Sequence, residues 1–273
     1  MRKLLIIIFL SASSFSWSQY NCEAFKMVGD DCKYEACKYI EKAKKYFQLR
    51  KEYHDKYNRA LEICPDYHPA YKAKSTAYLK TGDFLTWKKL MDKAVELSPL
   101  DNLDYRGWCR FQFFRDYKGA IEDIERLQET VGVNAGFGQN GMYHLNVARA
   151  LCYKMLGERT KAIQILEDHL QNDFMTGLYI HYHLGILYYE EGQFEEALKT
   201  FQLQTKEYDF AENEYYKSLV YQALNQPKEQ RQALKKSLET YKEGVFMNDV
   251  YSHQVDKIYL IEVEDEYAKV FKK

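Results

Sequence analysis

The chain reads as an all-α protein, a right-handed α-solenoid of about six helix hairpins closed by a C-terminal capping helical segment. Three observations predict this. Apolar residues recur at helical spacing along most of the chain. Blocks of about 34 residues repeat, so that Ala60 and Pro65 in one return as Ala94 and Pro99 in the next. Only 13 Gly and 4 Pro stand against 25 Tyr and 15 Phe, which leaves little for linkers and much for packing between helices. The formal net charge of −1 supplies no overall basic field for nucleic acid.

Residues 1–18 read as a signal peptide. Arg2 and Lys3 precede an apolar run, Leu4 to Leu10, and Ser16 and Ser18 stand three and one before a cut after Ser18. The run is too short to span a bilayer, and no later stretch of about 18 apolar residues follows. Tyr20 and Asn21 are too bulky for a lipidation signal at Cys22. The expected mature chain starts at Gln19 and is exported, to the periplasm, the cell surface or the medium. Residues 19–33 form a Cys-containing segment. Cys22, Cys32, Cys37, Cys64, Cys109 and Cys152 allow fifteen complete pairings. The crowding of the first three predicts a bridge among them. No Cys-x-x-Cys pair is present, so neither a redox motif nor a zinc knuckle is implied, and no cofactor or metal is expected.

Three hairpins fill residues 34–128, beginning near Tyr34, His68 and Asn102. The second shows the grammar plainly: two amphipathic helices, a turn at Gly82-Asp83, and Pro99 at the close. A Gly/Asn-rich insertion (129–142) reads as an elongated loop. Three more hairpins fill 143–243, beginning near Tyr143, Leu178 and Ala211. Leu184, Gly185, Tyr188, Gly192, Phe194, Ala197 and Phe201 carry the fifth, and Gly157 and Ala162 mark the fourth. The sixth is weaker, with Asn225 for the turn glycine and Gln230 for the alanine. In 244–273, Asn248 or Asp249 caps a helix from Val250 onward, which covers the last repeat.

No catalytic motif survives. Gly-x-Ser-x-Gly, a phosphate loop and His-Glu-x-x-His are all missing. Gly136, Gly138 and Gly141 imitate a dinucleotide fingerprint, but no strand precedes them. His181 and His183 are two residues apart on a helix and point to nearly opposite sides, so they do not chelate. An enzyme is not expected.

The repeat resembles the tetratricopeptide repeat family over roughly residues 34 to 240. Small residues stand where helices approach closely and large ones fill the space between. In that frame Tyr105, Trp108 and Cys109 of the crowded stretch YRGWCRFQFF are packing residues. The resemblance implies a concave inner surface lined by the first helix of each hairpin. Lys38, Lys72 and Arg106 share one inner position, and Lys42, Thr76 and Arg110 another one turn on, with Phe113 a further turn along. This predicts a basic strip. In the second block those positions hold Val147, Tyr182, Tyr215, Leu151, Ile186 and Leu219, an apolar and aromatic lining. One subgroup of the family grips acidic C-termini with Lys, Arg and Asn, and the strip is similar in kind.

The function so implied is a protein–protein interaction scaffold of the bacterial cell envelope that binds an acidic protein or peptide segment. The expected partner-binding residues are Lys38, Lys42, Lys72, Thr76, Arg106, Arg110, Phe113, Tyr182 and Tyr215. The alternative is a glycan- or small-molecule-binding accessory protein, since tyrosines stack on sugar rings.

Overall fold

The computed structural model describes residues 21–139, 141–172, 174–249 and 251–271. The expected signal peptide and its cleavage point lie outside the described residues. Helices dominate, as expected, and two compact units divide the chain, the first ending at Leu97 and the second beginning at Ser98.

The first unit holds α1 (Cys22–Met27), α2 (Asp31–Ala43), α3 (Lys51–Ile63), α4 (His68–Thr81) and α5 (Phe84–Leu97). Asp30 starts α2 by accepting a hydrogen bond from the Lys33 backbone N–H at 3.0 Å. Pro69 sits in the first turn of α4, where no N–H partner is needed. Gly82 ends that helix in the left-handed conformation, φ 78°. Buried Ala36, Ala43, Ala60, Ala70 and Ala77 let the helices approach, and the rings of Tyr53, Tyr57 and Tyr67 fill the space left between them. Two disulfides pin the start of the unit. Cys22–Cys37 ties α1 to α2, and Cys32–Cys64 ties the start of α2 to the end of α3. The first is the bridge that the crowded cysteines predict. Cys109 and Cys152 are buried free thiols.

The second unit begins with α6 (Leu103–Cys109), which continues as a π-helical turn, Arg110–Phe114, and pairs with α7 (Tyr117–Val131). Arg115 takes the left-handed cap, φ 53°. It stands one residue before the place 34 beyond Gly82, so this turn is one residue short. The remaining pairs are α8 (Leu145–Met155) with α9 (Arg159–Gln171), α10 (Ile180–Glu190) with α11 (Phe194–Glu207), and α12 (Ala211–Ala223) with α13 (Pro227–Lys242). Gly185 of α10 lies under the Phe201 ring of α11, where an added Cβ would stand 2.6 Å from the ring carbon Cε1.

One expectation is sharpened and one corrected. The insertion is a loop beyond the end of α7 at Val131, but a packed one. It folds onto the unit through the bridges Phe137–His144 and Tyr143–Gly177, and the Leu145 N–H donates to the Gly136 carbonyl at 2.8 Å. Trp108 packs flat against Gly138, leaving no room for a side chain there. Tyr143 is buried among Trp108, Phe111, Tyr179 and His183, with ring centroids 5.5 to 6.4 Å away. The C-terminal helix is also shorter than expected. Val250 lies outside the described residues, but 251–259 hold no helix, and α14 spans Leu260–Phe271. Asp249 spends its side chain on a turn, accepting from the Tyr251 N–H at 2.8 Å. Val263 of α14 joins Leu234, Tyr241 and Ile258 in one apolar cluster, which closes the α12–α13 end.

Candidate functional site

In the first unit the predicted residues sit on α2 and α4. Lys38 is tied to Glu41 at 2.9 Å and to Glu23 of α1 at 3.4 Å. Lys42 is exposed, its ammonium 4.8 Å from the Tyr39 ring centroid. Lys72 is half-buried, and its carbonyl accepts from Ser75 at 2.7 Å and from Thr76 at 3.4 Å. Thr76 therefore turns its hydroxyl back onto its own helix. Cys32, Cys64 and Asp66 cluster tightly enough to suggest a metal site, but both sulfurs are used in the disulfide and offer no thiolate.

Arg106 and Arg110 do not project into the groove as the frame predicts. Both turn onto α7. Arg106 makes a two-pronged pair with buried Asp123, at 2.6 and 2.9 Å, and Arg110 reaches the same carboxylate at 3.0 Å. Arg110 also donates to the Gly119 carbonyl at 2.9 Å. Their side chains are only 12 % and 16 % exposed. Phe113 lies half-buried in the π-helical turn.

The inner face of the second unit already holds a ligand, and the ligand is its own chain. Residues 246–249 and 251–258 run across the first helices of four successive pairs. Gln112 donates to Asp249 at 3.2 Å and also bonds Ser252, and the Arg115 guanidinium donates to the His253 carbonyl. The strap is anchored at Asp256, which holds a left-handed backbone, φ 63°. Lys154 of α8 meets its carboxylate at 2.6 Å and His183 of α10 meets it at 2.7 Å. The Tyr182 hydroxyl donates to the Asp256 carbonyl at 2.6 Å. On the last pair, Lys257 bonds Glu212 and the Met247 carbonyl, and Glu212 accepts from the Met247 N–H at 3.1 Å.

The electrostatics fit this arrangement. Burial opposes ionisation of Asp256, but Lys154 and His183 outweigh it and hold the carboxyl below its ordinary range. Burial lowers His183 despite the adjacent carboxylate. With its Nδ1–H given to Asp256, Nε2 is left to accept from the Tyr143 hydroxyl at 3.3 Å. Burial drives the Tyr182 hydroxyl well above its usual value, so it stays a donor. Lys154, His183 and Tyr182 thus form a socket for one aspartate and its own carbonyl oxygen. Two of the predicted residues change role. Tyr182 is fully buried under the strap, and Tyr215 is half-buried in the cluster around Val263.

Sequence reasoning missed Asp256, Glu212 and Lys154. Asp256 lies in an ordinary apolar–charged alternation and gives no local signal. Lys154 does give one, because it is a lone cation in the otherwise apolar stretch LCYKML, at an inner position of its hairpin.

The arrangement defines a class, a stack of helix pairs carrying an irregular segment of chain on its inner face. A profile of the Tetratricopeptide repeat family matches residues 178–207. Among solved structures, Pseudomonas aeruginosa PilF is similar at a TM-score of 0.61 and 12% identity, covering 86% of this chain and 99% of that one. PilW, a type IV pilus biogenesis factor, gives 0.58 and 14%, covering 76% and 94%. YrrB, a TPR protein with an unusual peptide-binding site, gives 0.51 and 18%, covering 68% and 93%. Among curated proteins no sequence matches this chain closely. The fold is that of the tetratricopeptide-repeat proteins. No helix among the described residues is long and apolar enough to cross a membrane.

Proposed function

We propose that the protein is an interaction scaffold of the bacterial cell envelope that holds an extended acidic segment of a protein partner. One observation carries this reading: the second unit grips a stretch of chain on its inner helices through a buried aspartate. What this scaffold accommodates there is an irregular stretch of chain whose aspartate carboxylate fills a socket. The second unit's socket is filled in cis, so the partner belongs on the first unit, where Lys42 and Lys72 offer cations on successive first helices, beside Thr76 and Lys38. The two disulfides and the N-terminal leader pattern support an oxidising, exported setting. PilW, a pilus biogenesis factor, and YrrB, with its peptide-binding site, give precedent for partner binding on this fold. The glycan reading rests on tyrosines, and Tyr182 and Tyr215 are committed to packing, so a protein segment is preferred.

The test is fluorescence anisotropy with a labelled Asp/Glu-rich peptide and a charge-reversed control. Binding to the acidic peptide alone is expected. Lys42→Glu with Lys72→Glu should weaken it roughly tenfold or more and flatten its salt dependence. Equal binding by the double variant would remove the first unit's inner face from consideration.

A further inference from the structure

The turn after α2 and the turn into α5 each expose two large apolar side chains. Phe47 and Leu49 are 70 % and 48 % exposed, and Phe84 and Leu85 are 46 % and 78 % exposed. The two turns are neighbours. Lys80 at the end of α4 donates to Gln48 at 2.8 Å, and the His54 ring lies 5.2 Å from the Tyr78 ring. Cations crowd the same edge. Residues 44–51 hold Lys44, Lys45, Arg50 and Lys51 and no acid. Residues 80–89 hold Lys80, Lys88 and Lys89 against Asp83 alone, whose carboxylate accepts from the Thr86 N–H. All seven cationic residues are exposed. Lys51 reaches back to Asp55 and Lys88 to Asp92, both pairs at the surface and readily exchanged for other anions. In a chain of net charge −1 this edge is a local concentration of positive charge around protruding apolar tips.

We propose that this edge docks peripherally on an anionic lipid bilayer. Phe47, Leu49, Phe84 and Leu85 enter the zone between headgroups and acyl chains, and the surrounding lysines and Arg50 face anionic headgroups. A bilayer fits better than a protein. The apolar groups stand in the turn after α2 and at the first two positions of α5 and are exposed there, so they form tips and not a groove for a peptide. A standard protein interface takes about 800 Å² per partner, far more than four side chains supply. A bilayer needs only such tips, because apolar insertion and headgroup attraction add. The residues differ from Lys42 and Lys72, so this surface stands or falls independently of the peptide reading.

The test uses the full chain with vesicles of phosphatidylcholine, with and without phosphatidylglycerol. Hydrogen exchange is followed by mass spectrometry over residues 44–51 and 80–89, a local readout that the apolar run at Leu4–Leu10 does not affect. Both turns should gain protection with anionic vesicles and little with neutral ones. Phe47→Ser with Leu85→Ser, and separately Lys44→Glu with Lys45→Glu, should each reduce this protection-linked binding about tenfold or more, since one charge near the surface is worth about fivefold. Unprotected turns on anionic vesicles, equal protection on neutral ones, or unaltered binding by both variants would overturn the proposal. Protection of these turns by an acidic protein and by no vesicle would do the same, and would mark the edge as a protein interface.

Discussion

Asp256 shows how much one side chain organises. Its carboxylate is buried and satisfied by Lys154 and His183. Lys154 also meets Glu190 at 3.1 Å, so removing Asp256 leaves its ammonium partly compensated, and the loss should fall at the low end of the about 3–5 kcal/mol typical of breaking a buried pair. Asp256→Ala should lower the unfolding free energy of the second unit, read from urea melts, by that order, with Asp256→Asn intermediate because it keeps the shape. Gly185→Ala offers a sharper steric test. The new methyl meets the Phe201 ring, and a loss of about 1–3 kcal/mol is expected in the same measurement. Gly185 is legible in the sequence because a small residue at a close crossing has one reason to be there. Arg106 and Arg110 are not. Helical phase sets the angle at which a side chain leaves, but not which way a long, flexible guanidinium turns, and Asp123 on α7 decides that.

Single elements carry their own chemistry. The folded insertion brings His144, at the start of α8, within 4.5 Å of the His169 ring. Burial, then the neighbouring His169, pushes His144 down to about 4. Burial also lowers His169 and His183. In the unfolded chain these groups take up a proton near pH 6.5, whereas the folded sites resist it. Their stabilisation is therefore complete above pH 6.5 and is lost as pH falls toward 4, on the order of 3 kcal/mol for His144 alone. The depressed carboxyl of Asp256 extends the loss to still lower pH. Urea midpoints measured between pH 7 and pH 4 should fall steadily and not level off near 6.

In the first unit the bridges close loops with separations of 15 and 32 residues. Reducing them should cost about 3 and about 4 kcal/mol by the chain-entropy estimate, read as a drop in thermal midpoint with a reductant. The helix pairs themselves are legible from periodicity and from their Gly and Pro punctuation. The start of α14 is not, because Asp249 is as good a turn former as a helix cap, and the strap's distant contacts choose between the two.

Across the whole molecule, repetition made the architecture readable, since each pair repeats a local rule. The strap obeys no such rule. Its contacts with the first helices join residues 35 to 140 apart along the chain, and no short window contains both ends. A chain ending at Glu243 should therefore keep the helices up to α13 while losing α14 and uncovering Tyr182, Lys154 and His183. Expected results are a lower denaturant midpoint for the second unit and self-association by light scattering. A synthetic peptide of residues 244–271 should reverse both.

The position of the strap also sets an order of events. Lys154 and His183 are synthesised about a hundred and about seventy residues before the carboxylate that neutralises their pocket. While the chain emerges from its N-terminus, the helix pairs of the second unit assemble around an unfilled interior. The last step is a long-range closure with a correspondingly large loop entropy to overcome. Until that closure is made, Lys154, His183 and Tyr182 stand without the aspartate that links them, so the strap is the last part of the second unit's interior to be completed.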